Sequence, residues 1–120
     1  MLKIRKEQAE SLSRKAQEGF ECRVRAHLRR VFRRQCEQIG EPAVRESIRR
    51  GIKVAGTYGV KTEYDVVRFI DLEYILCEGF DINPEMPWTA GILNDEDLTP
   101  AQKLDRLYER VKRRAAARRA

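Results

Sequence analysis

The chain predicts an all-α fold, a single four-helix domain spanning residues 1–120, on three observations. Apolar residues recur at spacings of three and four along most of its length, no segment alternates as a strand would, and helix start and stop chemistry bounds the periodic runs. The helices are expected to form a compact bundle around a buried central helix at 62–78, with a short fifth helix at 87–93 if that segment is counted. A chain of 120 residues can bury about two-thirds of its unfolded surface in one core.

Residues 3–39 predict a long first helix whose inner face is Leu12, Ala16, Phe20, Val24, Leu28, Val31, Phe32, Gln35 and Ile39, with Gly40 as its C-cap. Gly19, mid-run, costs about 1 kcal/mol relative to Ala and marks a place for a bend. The first ten residues and the last eight have little to bury, and their order in isolation stays open. Pro42 suits the first turn of a second helix with Val44, Ile48, Ile52 and Ala55 inward and Arg45, Arg49, Arg50 and Lys53 outward. Gly56-Thr57-Tyr58-Gly59 then supplies a turn.

Thr62 is the N-cap of the central helix, with Glu63 and Asp65 in its first turn and Gly79 as its stop. Val66, Val67, Phe69, Ile70, Leu72, Ile75 and Leu76 cover more than half of its circumference, so neighbours are expected on most sides. Residues 80–98 predict a long, mostly irregular connection anchored by Phe80, Trp88, Ile92 and Leu93. Thr99, Pro100 and Gln102 spell an N-cap, an N1 proline and a capping-box partner. The last helix follows, with Leu104, Leu107, Tyr108, Val111 and Ala115 inward.

Charge is segregated. Residues 1–53 carry 15 basic against 7 acidic side chains, residues 54–100 carry 2 against 10, and residues 101–120 carry 8 against 2. This basic–acidic–basic order suits outer helices around an acidic centre better than a nucleic-acid surface, where positive charge converges on the reading element. Cys22, Cys36 and Cys77 are odd in number and far apart, which argues against a disulfide framework or a zinc site and for buried thiols in a reducing compartment. The N-terminus lacks the apolar core of a signal peptide and no run reaches membrane-span length, so a cytoplasmic protein is expected.

Catalysis is not expected, and no catalytic, cofactor or metal ligand is assigned. His27 is the only histidine and has no partner at useful spacing, so it reads as a half-buried structural residue. Gly56 to Thr62 has neither the spacing of a phosphate loop nor the strands of a KH domain. The alternative function is a basic helix-turn-helix-like nucleic-acid-binding or regulatory protein, built from 42–55, the glycine turn and 62–78. Against it, the would-be reading helix carries Glu63, Asp65, Asp71, Glu73 and Glu78 with Arg68 as its one cation.

Two features point to protein binding. Arg23, His27, Arg30 and Arg34 flank the apolar face of the first helix, while Arg25, Arg29 and Arg33 look outward; they form either a solvated face whose arginine stems cover apolar neighbours or a docking surface for an acidic partner. Trp88 in the long connection is either an interface anchor or a plug that fixes the loop. Glu73 lies inside the apolar arc of the central helix, where a carboxylate needs a partner. An arginine of the first helix (Arg23, Arg30 or Arg34) is the expected one, and Glu73→Gln should then cost stability.

Ile4-Arg5-Lys6-Glu7-Gln8, His27-Leu28-Arg29-Arg30, Tyr58 to Ile70, Phe80-Asp81 and Pro87-Trp88 together span nearly the whole chain. In these motifs the chain resembles small bacterial accessory or co-chaperone proteins encoded beside type VI secretion effectors and their chaperones. The resemblance implies cytosolic binding to an effector, an effector chaperone or a spike component, with no chemistry of its own. Its motifs are structural ones.

Overall fold

The computed structural model describes residues 6–119, with side chains described for 14–118. Leu12, the motif at residues 4–8 and the order of the first ten residues therefore fall wholly or partly outside what is described. Among the described residues the protein is all-helical, without strands. Six α-helices are present: α1 (Lys6–Val31), α2 (Arg33–Ile39), α3 (Glu41–Thr57), α4 (Glu63–Ile75), α5 (Pro87–Leu93) and α6 (Pro100–Arg119), with a 3-10 turn at Phe80–Ile82. None of the described helices is long and apolar enough to cross a membrane. By packing, the chain divides into two units, Met1–Arg49 and Arg50–Ala120, with the division inside α3.

In the first unit the expected long helix is two. The backbone leaves the helical region at Phe32 (φ −119°, ψ 46°), not at Gly19. Hydrogen bonds still reach across the break, from Phe32 N to Leu28 O at 2.7 Å and from Cys36 N to Phe32 O at 3.0 Å. The inner face changes register there. Phe20, Val24, Leu28 and Cys36 are buried, whereas Val31 is 53% exposed and Ile39 48% exposed, and Ala16 and Gln35 also face solvent. Gly40 closes α2 at φ 83° and donates to Cys36 O, as its position predicts. Val44, Ile48 and Ala55 give α3 its buried side, and Ile52 is half-buried. Cys22 is exposed and Cys77 half-buried, so of the three thiols only Cys36 is buried as expected.

The second unit holds the end of α3 together with α4, α5 and α6. Thr62 caps α4 by accepting from Asp65 N, and Val66, Phe69, Ile70 and Leu72 are buried, with Val67 and Leu76 half-buried. Ile75 is the exception at 44% exposed. The helix also ends three residues before the expected stop: Leu76 is its C-cap, and Gly79 (φ 74°) instead opens the 3-10 turn. Phe69 stacks obliquely on Phe80 at 5.1 Å between ring centres and lies 6.3 Å from Tyr58, so three segments meet in one aromatic cluster. α6 packs against both α4 and α5. Its start is the reciprocal capping box, with Gln102 N donating to Thr99 Oγ1 and Thr99 N donating to Gln102 Oε1. Leu104 and Leu107 are buried, Tyr108 and Val111 half-buried, and Ala115 exposed.

The 80–98 connection holds one short helix where one is expected. Phe80 and Leu93 are fully buried, and Trp88 and Ile92 half-buried. Thr89, also buried, donates from Oγ1 to Phe80 O and Met86 O, tying α5 to the 3-10 turn.

Candidate functional site: arginine surfaces and a buried acid

The arginines of α1 and α2 do not form one free stripe. Arg29 pairs with Glu41, and Arg25, expected to look outward, is drawn to the same carboxylate at 3.5 Å. The hydrogen bond from Arg29 holds the Glu41 carboxyl below the usual range despite its partial desolvation. Arg33 pairs with Glu37 at 3.1 Å, one helical turn on. Arg23 is exposed and engaged within the protein, its guanidinium passing over Gly19. Arg30 and Arg34 remain, exposed and with no ion pair among the described residues. His27 is half-buried. A shallow cavity of about 330 Å³ opens beside this surface, lined by Arg29, Arg33, Cys36, Glu37, Gly40 and Glu41.

In the second unit, the one cation of α4 is committed. Arg68 reaches Asp105 at 2.7 Å and Asp65 at 3.5 Å, and it lies over the rings of Tyr64 and Tyr108 at 5.5 and 5.1 Å. A helix reading DNA from this face would have to surrender those contacts.

Glu73 is half-buried, and its Oε1 is buried with no hydrogen-bond partner. The cation bearing on it is Arg50 of α3, where the sequence pattern pointed to α1. Arg50 divides its attention: Nη1 pairs with Glu78 at 3.2 Å while Nε is buried without a partner. Desolvation therefore outweighs Arg50, with Asp81 and Glu78 adding repulsion, and the Glu73 carboxyl is pushed from 4.5 up to about 7. Asp81 accepts a 2.7 Å hydrogen bond from the Tyr58 hydroxyl, whose own pKa rises to about 12 through burial and that bond.

Gly51 is what allows α4 to lie so close. A Cβ at that position would stand 2.6 Å from Ile70 Cγ1 and 2.9 Å from Glu73 Oε1. Gly51→Ala should therefore destabilise by about 1–3 kcal/mol through overpacking, against the roughly 1 kcal/mol that alanine gains in a helix. Thermal unfolding of the variant checks this, since helix propensity alone would raise the midpoint.

Trp88 lies under two guanidiniums, Arg110 at 5.5 Å and Arg114 at 5.3 Å from its ring centre, and its Nε1 is buried without an acceptor. Sequence reasoning passed over this pairing, although Arg110, Arg114 and Arg118 recur every four residues along α6 and so share a face. Among the described residues no group of three or more His, Cys, Asp or Glu side chains converges in a way that could hold a metal ion. No protein-family model, curated protein or solved structure matches the chain.

Proposed function

We propose that the protein is a non-catalytic, cytoplasmic protein-binding adaptor or co-chaperone, serving a type VI secretion effector, its chaperone or a spike component. The observation that carries the binding part of this reading is that α1 and α2 expose the arginines Arg30 and Arg34 together with the large apolar side chains of Val31 and Ile39. Apolar side chains set among arginines are the composition of an interface core and its anchors. The internal pairing of Arg29 and Arg33 leaves these two free for an acidic partner. The secretion context rests on the resemblance in the motifs at 27–30, 58–70, 80–81 and 87–88. In this reading α4 is a buried structural element and Glu73 a structural acid.

Reversing both charges, Arg30→Glu with Arg34→Glu, is expected to weaken the partner complex by about tenfold or more. Because both side chains are exposed and unpaired, folding stability should move by less than about 0.5 kcal/mol. Titration calorimetry with the captured partner, alongside a thermal melt, reads both quantities. The nucleic-acid alternative predicts instead an affinity for unrelated DNA sequences that falls steeply with salt.

A further inference from the structure

The second unit has an apolar groove where α4 ends against α6. It is lined by the apolar side chains of Ile75, Leu76, Met86, Val111 and Ala115 and by Arg114 and Arg118, and its volume is about 190 Å³. Ile75 is 44% exposed although it closes a helix with four buried apolar side chains, Val66, Phe69, Ile70 and Leu72. Ile75 is the last residue of α4, and Leu76 beside it is half-buried. Neither lining arginine has an acidic partner among the described residues, and after Glu109 the chain contains no acid at all. Helix-dipole compensation accounts for basic residues at the end of α6, but not for an open apolar lining beside them.

We propose that this groove binds an acidic amphipathic helix of a partner protein. One or two aliphatic side chains of that helix enter the groove, and carboxylates one turn apart meet Arg114 and Arg118. Those arginines are themselves one turn apart, about 6 Å along α6, which matches acids at i and i+4 on the incoming helix. Arg114 is held ready by its stacking on Trp88, which lowers the ordering cost of binding. The apolar lining offers nothing to a phosphate backbone, and the Trp88 face is already covered by two guanidiniums, so a nucleic acid fits less well. The groove shares no residue with the Arg30–Arg34 surface, so this inference and the proposed function can fail separately.

The test uses the full chain and a short, tryptophan-free helical peptide with leucines along one face flanked by glutamates. Its counterpart carries lysines in place of the glutamates. Trp88 is the protein's one tryptophan, so its emission reports binding at Arg114 directly. The acidic peptide is expected to shift that emission saturably and the basic one not to. Ile75→Glu and Arg118→Glu, both at exposed positions, should each lower the affinity by about fivefold or more, while the Arg30→Glu, Arg34→Glu double variant should not. Equal response to both peptides, no response, or indifference to both groove substitutions would overturn the proposal. So would a concentration-dependent dimer abolished by Ile75→Glu, which would assign the groove to a second copy of the chain.

Discussion

Phe69→Ala is expected to lower the unfolding free energy by about 3–5 kcal/mol. Phe69 is fully buried in α4 and its ring contacts Phe80 at 5.1 Å and Tyr58 at 6.3 Å between centres. Truncation removes the burial of the ring and leaves a cavity between three segments that do not collapse as one. Loss of the oblique ring pairing with Phe80 adds up to about 1.5 kcal/mol. In a domain whose whole stability is about 5–15 kcal/mol, this is a large fraction. Urea unfolding should show a lower midpoint with an unchanged slope. A loss below about 1 kcal/mol would contradict the burial of α4.

Glu73→Gln should stabilise the protein above neutral pH, the reverse of what the helical wheel suggests. The folded-state pKa of Glu73, about 7, lies above its ordinary 4.5, so the native state holds the proton more tightly than the unfolded chain. The stability this contributes is complete below about pH 4.5 and is lost as pH rises through about 7. A shift of this size corresponds to roughly 3.4 kcal/mol before screening, and partial solvent access reduces it to about 1–2 kcal/mol. Glutamine keeps the shape without the ionisation. Wild type and variant should therefore be alike near pH 4 and diverge by about pH 8, with the variant more stable. Comparing the two proteins cancels the other groups that titrate in that window. If the variant is the weaker one at pH 8, attraction to Arg50 outweighs desolvation and the account of this acid is wrong.

Local chemistry was the legible part of this chain. Thr62, the Thr99–Gln102 box, Gly40 and the helix at 87–93 each follow from side chains acting on their own backbone, and each stands where its residues predict. Tertiary effects were not legible. The break at Phe32 has neither glycine nor proline to announce it, and it turns Val31 outward while Cys36 turns in. α4 stops at Ile75 although its apolar pattern continues through Leu76. Helical periodicity places Glu73 on a face without saying which helix lies opposite, and the cation that bears on it is Arg50 of α3. For the same reason Arg50, expected outside, is half-buried, and Gly51 marks the close approach of α4. Of the candidate arginines, Arg30 and Arg34 are free and Arg29 and Arg33 are not, a division set by Glu41 and Glu37 that spacing alone did not resolve.

The proposed adaptor role is tested most directly by capturing the tagged full-length chain from its native cytosol with nuclease present and identifying what is bound by mass spectrometry. The account predicts one protein in stoichiometric amount, a secretion effector, its chaperone or a spike component, strongly depleted when Arg30 and Arg34 are replaced by Glu. Recovery of nucleic acid alone, lost on nuclease treatment, would contradict it and return the turn between α3 and α4 to consideration as part of a DNA-binding unit.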